Sequence, residues 1–221
     1  MAKEKTNTPR GGNAAARILD AADELLVEAG YDGVSIRAVA ERAGVTKGLV
    51  FYHFGTKRAL VERVLERYYE NHLAALKHAF ATATQPELSD RLHSVVDSYL
   101  DFIEENIRYP RFVQQQIAGA DTFHDLIRRN LEPMFRWTES ALEGVAPTRG
   151  PQSVRQFFVT FSAVAMHYYT YAPILRSVWG DDPMGPAALA ERRAHVHWLV
   201  ELMVRDTAPS RGQGETSAPD R

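Results

Sequence analysis

Apolar residues recur at helical spacing along almost the whole chain, and alternating apolar and polar residues, the mark of a strand, are nearly absent. Ile18, Leu19, Ala22, Leu25, Leu26 and Ala29 set the pattern, at i, i+3, i+4 and i+7 of one helix face. A chain written this way buries its apolar faces by packing helix on helix, so the expected fold class is all-α, with about nine helices.

Local stop and start residues divide the pattern. Asn13 is placed to cap a first helix, which "GYDG" ends. Ser35 caps a short second helix with Ile36, Val39, Ala40 and Ala43 on one face. Gly44 follows where a helix end favours a left-handed residue, Thr46 restarts the chain as a third short helix, and "FGT" breaks it. A long fourth helix is expected over 56–80, with Leu60, Val64, Tyr68, Leu76 and Phe80 as its apolar marks. After the linker "ATATQPEL" come helices over 88–106 and through "RFVQQQIAG", with "RYP" as a stop between them. Further helices are expected over 121–143, kinked at Pro133, over 152–171 and over 187–205. The loops "GVAPTRGP" and "WGDDPMGP" separate the last three. The expected organisation is a flexible basic arm over 1–12, a three-helix head over 13–60, a larger helical body over 61–206 and a disordered tail over 207–221.

Several function classes drop out. The 221 residues contain no cysteine, which removes disulfides and thiolate metal sites. No apolar run is long enough to span a bilayer, and "MAKEKTNTPRGGN" has charges without an apolar core behind them, so a cytoplasmic protein is expected. His195 and His197 are two residues apart and point about 200° from one another on a helix, and His72 and His78 also miss the i, i+4 spacing. No metal and no cofactor are expected. Neither a Gly-x-Ser-x-Gly elbow nor a phosphate loop, dinucleotide fingerprint or zinc motif is present, so no catalytic residue is assigned and an enzyme is not expected.

Net charge is −2, but its distribution is uneven. Residues 1–60 hold nine basic and seven acidic residues, and residues 61–221 hold seventeen and twenty-one. Lys3, Lys5 and Arg10 lie in the arm, Lys47 and Lys57 lie within the stretch "GVTKGLVFYHFGTK", and Arg58 follows it. Two short helices across a glycine turn, stacked on a longer first helix, make a helix-turn-helix, whose second short helix enters the major groove of DNA. Thr46 can offer its hydroxyl to a phosphate, and Lys47 can reach a base edge or a phosphate. Gly48 permits close approach, Leu49 can meet a thymine methyl, and Tyr52 and His53 can donate to phosphates. Lys57 and Arg58 oppose the macrodipole at the start of the fourth helix, a conflict that a bound phosphate removes. Ser35 and Arg37 complete the expected DNA-contacting set.

The run "SIRAVAERAGVTKGLVFYHFGTKRAL" resembles the DNA-binding head of the TetR/AcrR family of bacterial regulators over roughly residues 14–62. The chain departs from that family at Phe51, where a tyrosine hydroxyl commonly contacts a phosphate; Phe51 is expected to pack within the head, with Tyr52 taking the phosphate. The resemblance implies a homodimer joined through the last two body helices. "SVRQFFVTFSAVAMHYYTYA" is apolar around nearly its whole circumference, with Ser162, Ala163 and Ala165 as close-approach positions. Val196, Leu199, Val200 and Met203 form a stripe on the last helix, with Trp198 off its centre. The resemblance also implies an effector cavity in the body. Its candidate lining is Phe112, Gln115, Phe123, Trp137, Phe158, Phe161, His167, Tyr168 and Tyr171, which suits a hydrophobic or aromatic small molecule. The expected function is a repressor released from a palindromic DNA operator by that molecule. The competing reading is a DNA-binding module controlled by a protein partner or acting architecturally, without a small ligand.

Overall fold

Short polar residues and glycines bound several of the helices. A computed structural model of the chain describes residues 10–84, 87–118 and 123–205, and among the described residues it contains nine helices and no strand. They are α1 (Arg10–Gly33), α2 (Ile36–Ala43), α3 (Lys47–Phe54), α4 (Lys57–Thr82), α5 (Leu88–Glu105), α6 (Arg108–Ala118), α7 (His124–Ala141), α8 (Val154–Trp179) and α9 (Pro186–Arg205). The expected tail over 207–221 and most of the expected arm lie outside the described residues.

Three boundaries differ from expectation. Asn13 lies inside α1 rather than capping it, and the helix is interrupted at Gly30, which has φ 68°. "RYP" is the first turn of α6 rather than a stop. Pro110 is tolerated there because first-turn N–H groups have no partner inside a helix. The eighth helix runs on past Tyr171 and through Pro173 to Trp179, where Gly180 closes it in a left-handed conformation with its N–H on the Arg176 carbonyl. Pro133 likewise sits inside α7.

The chain divides into two compact units, Met1–Ala75 with Phe102–Met134 and Leu76–Asp101 with Phe135–Arg221. In the first, α1 packs on α2 and α3. Ile18, Val34, Val39, Val50, Leu60 and Val61 are buried there. Arg67 of α4 ties that helix to α1, with 2.6 Å to Asp20 and 2.9 Å to Asp23. Tyr109 of α6 donates its hydroxyl to the same Asp23, and Arg108 donates to the Val27 carbonyl. Burial and then the Asp23 carboxylate push the Tyr109 hydroxyl well above its ordinary range.

In the second unit the core includes Val96, Leu100, Val154, Ala165, Tyr169, Ala172, Val196 and Val200. A chain of polar contacts joins α5 to α9. Arg193 lies 3.0 Å from Asp97 and 2.5 Å from Asp101, His197 lies 2.9 Å from Asp97 and 2.6 Å from His93, and His93 lies 3.0 Å from Glu201. Burial raises the Asp97 carboxyl, but the hydrogen bonds from His197 and Arg193 outweigh it and leave the group below its usual range.

Candidate nucleic-acid interface

The two short helices of the first unit are defined by contacts within four residues. The Ser35 Oγ accepts from the Ala38 N–H at 3.1 Å and starts α2. Gly44 ends it at φ 63°, ψ 42°, a conformation that disfavours any side chain with a Cβ. The Thr46 Oγ1 accepts from the Leu49 N–H at 3.3 Å and starts α3. Gly55 closes α3 through its N–H on the Phe51 carbonyl at 2.8 Å, and the Thr56 Oγ1 accepts from the Ala59 N–H at 3.0 Å to start α4. Each capping hydroxyl accepts one bond and keeps its own O–H as a donor, which a phosphate oxygen can take.

No acidic residue stands in the first turn of α2, α3 or α4, so their N-terminal dipoles face outward uncompensated. The nearby cations fall into two groups. Arg37 pairs with Glu41 at 2.8 Å, Arg42 with Glu28 at 2.8 Å, and Arg58 with Glu62 at 2.8 Å. The Glu41 hydrogen bond holds the Arg37 guanidinium above its ordinary pKa. Lys47 and Lys57 make no ion pair among the described residues. Lys47 is exposed at the start of α3, and the Lys57 Nζ sits 4.2 Å from the centre of the Tyr31 ring. Among the described residues, these two ammonium groups beside α3 are left without an acidic partner.

The expected DNA-contacting residues converge on the start and the outer side of this motif. Ser35, Arg37, Thr46, Lys47 and Gly48 are exposed, Tyr52 is 82% exposed, and Leu49, His53 and Lys57 are partly covered. Val50, on the opposite side of α3, is fully buried. The expectation for Phe51 is overturned: it does not pack within the head but is 52% exposed. The reason is rotational. Phe51 lies about 100° from Val50 around the helix, and only one side of so short a helix reaches the core.

The expected effector residues do not form one set. His167, Tyr168 and Tyr171 line a groove of about 910 Å³ between α8 and α9, together with Trp179, Arg192 and His195. The Tyr168 hydroxyl donates to the Pro183 carbonyl at 2.6 Å, and Arg192 stacks over the Tyr168 ring at 5.1 Å. Burial lowers the Arg192 guanidinium from its ordinary pKa. Elsewhere in the second unit, Phe158 packs on Phe135 at 5.5 Å, Phe161 on Tyr99 at 5.2 Å and Trp137 on Phe80 at 5.9 Å. In the first unit, Phe112 lies 6.0 Å from Phe123, which is itself buried. The Gln115 side chain lies outside the described residues.

The expected dimer contacts need correction. Ala165, Val196 and Val200 are buried inside the protomer, so they have no surface to give a partner. Ser162, Leu199 and Met203 are partly covered. The exposed stripe of α8 is instead Val159, Ala163, His167, Tyr171, Ile174 and Val178, and that of α9 includes His195, Trp198 and Leu202. Spacings of three and four mark both stripes in the sequence, but a helix apolar all round offers several such stripes and does not say which faces inward.

Residues 18–64 match the family model described as bacterial regulatory proteins, tetR family. Over 186 residues the chain is 31% identical to an HTH-type transcriptional repressor of Mycobacterium tuberculosis, covering 83% of this chain and 87% of that protein. It is also 31% identical over 130 residues to the HTH-type transcriptional activator FasR of Mycolicibacterium smegmatis, covering 52% of this chain and 58% of the activator. Among solved structures, a TetR-family regulator from Rhodococcus superposes with a TM-score of 0.68 at 17% identity, covering 87% of this chain and 99% of that one. FadR of Bacillus subtilis, solved in complex with stearoyl-CoA, superposes with a TM-score of 0.64 at 15% identity, covering 86% and 97%. With its helix-turn-helix and a relative of this similarity along most of its length, the chain belongs to the TetR family of DNA-binding transcriptional regulators.

Proposed function

We propose that the protein is a homodimeric repressor that binds a palindromic operator in the bacterial cytoplasm and is released from it by a small hydrophobic or aromatic effector. The observation that carries the DNA side is the pair of unneutralised lysines, Lys47 and Lys57, at the starts of α3 and α4, where helix dipoles and capping hydroxyls also favour anions. A two-fold dimer presents two recognition helices to half-sites one turn apart, roughly 34–36 Å. Repression is favoured over activation because the repressor relative matches 83% of the chain and the activator 52%. The stearoyl-CoA bound by FadR of Bacillus subtilis, a protein of like fold, supports an apolar or acyl-bearing effector. The role is regulatory rather than enzymatic. The coupling runs through α1, which Arg67 of α4 and Tyr109 of α6 grip at Asp23. An effector that prefers one arrangement of those helices lowers DNA affinity by its differential affinity for the two states.

The test is a fluorescence titration of the protein against its own upstream DNA and a scrambled duplex across a salt series. Selective binding that weakens steeply with salt is expected. Lys57→Ala should weaken binding to all duplexes and flatten the salt slope by about one unit, the signature of one lost phosphate contact. An unchanged slope takes Lys57 out of the interface, and equal binding to both duplexes at every salt concentration removes the specific operator from that DNA.

A further inference from the structure

We propose that Phe51 reads the 5-methyl group of a thymine in the major groove, and so fixes one base of each half-site. This rests on the DNA-binding reading above and adds a base preference to it. Phe51 is 52% exposed, about 100° around α3 from the fully buried Val50. It shares the outer side of α3 with Gly48, three residues before it, and with Tyr52, which is 82% exposed. The Tyr52 ring is held edge-on against His53 at 5.2 Å. Gly48 leaves an open notch one turn below the Phe51 ring, because a Cβ there would meet only the Thr46 Oγ1 at 3.9 Å.

The chemistry of the ring narrows what it can touch. A phenyl group has no donor or acceptor, so it gains nothing from a phosphate and cannot form a hydrogen bond with a base edge. The apolar group that distinguishes a base edge in the major groove is the thymine methyl. A half-exposed phenylalanine on the outer side of a recognition helix therefore gains most where that methyl fills the notch beside it. The thymine contact expected of Leu49 passes to Phe51, since Leu49 is partly covered by its own protein.

The experiment starts from a duplex that the wild-type protein selects out of a random pool. Each thymine in that duplex is replaced in turn by deoxyuridine, which removes the methyl and nothing else. Wild type should lose about fourfold in affinity at one position per half-site, and about fifteenfold with both half-sites changed. Phe51→Ala should bind the thymine and uracil duplexes equally, while Phe51→Tyr, which keeps the ring, should retain the preference. Thermal melting should show all three proteins folded, since residue 51 is outside the core. Wild-type affinity unchanged at every uracil position overturns the inference while leaving DNA binding intact. A thymine preference that survives in Phe51→Ala also overturns it, and assigns the methyl to another side chain. Failure to select any duplex overturns the DNA-binding reading and this inference together.

Discussion

Gly48 carries a conflict between stability and function within one residue. It has ordinary negative φ, and nothing in the protein crowds the place where its Cβ would be. Glycine within a helix is less stable than alanine by about 0.5–1 kcal/mol, and the lower end applies in a first turn. The fold thus gives no reason for glycine here, whereas Gly44 ends α2 in a left-handed conformation that does require one. The proposed close approach of DNA to the α3 backbone would supply the missing reason. Gly48→Ala should raise the melting temperature, by about 0.5 kcal/mol of added stability, and weaken operator binding. Melting curves and the duplex titration check the two halves separately. Tighter binding by the variant would place the closest approach elsewhere on α3.

At the scale of a helix, α4 shows how one element holds several roles. Its first turn carries Lys57 and Arg58 with no acidic residue, its middle carries Arg67 against α1, and His72 lies one turn beyond that. His72 is 3% exposed and stacks on Phe102 at 4.5 Å, nearly parallel. Burial lowers its pKa from 6.5 to about 4. The sign follows from proton binding: between these values the unfolded chain takes up a proton that the folded protein refuses. Stability from this site is complete above pH 6.5 and falls away as the pH drops toward 4, by up to about 3 kcal/mol. His72→Leu should therefore show a shallower loss of stability between pH 7 and pH 4.5 in urea unfolding than wild type does. Parallel curves would mean that the imidazole charges freely inside the fold.

For the molecule as a whole, the proposed homodimer needs a surface for a second copy. Val159, Ile174, Val178 and Trp179 of α8 and Trp198 of α9 are each more than half exposed, an apolar area that a lone soluble chain has little reason to display. Trp198→Glu with Val178→Glu should weaken self-association by about tenfold or more, read by sedimentation, with circular dichroism unchanged. Operator affinity should fall with it, because a monomer reaches one half-site. A double variant that remains dimeric moves the interface off these stripes. Val196→Glu is the contrasting case: Val196 is fully buried, so that variant should lose helical structure rather than only its partner.

The helix-turn-helix could be read from the chain because its boundaries are set by bonds spanning three or four residues. Ser35 to Ala38, Thr46 to Leu49 and Gly55 to Phe51 need no distant partner, so residue types in order suffice to place them. The unneutralised first turns of α3 and α4 are legible for the same reason. Other features depend on surfaces brought together from far along the chain. Which side of α8, apolar around nearly its whole circumference, enters the core was decided by its neighbours, which buried Ala165 and left Val178 outside. Lys57 found the Tyr31 ring, twenty-six positions away, and α8 continues through Pro173 although that proline removes its N–H from the ladder and crowds the carbonyl four residues earlier. Phe51 joins them: its exposure follows from the single side of α3 that α1 and α2 cover. Short-range hydrogen bonding determined where the helices begin and end, and long-range packing decided which of their faces remain for DNA and for a partner.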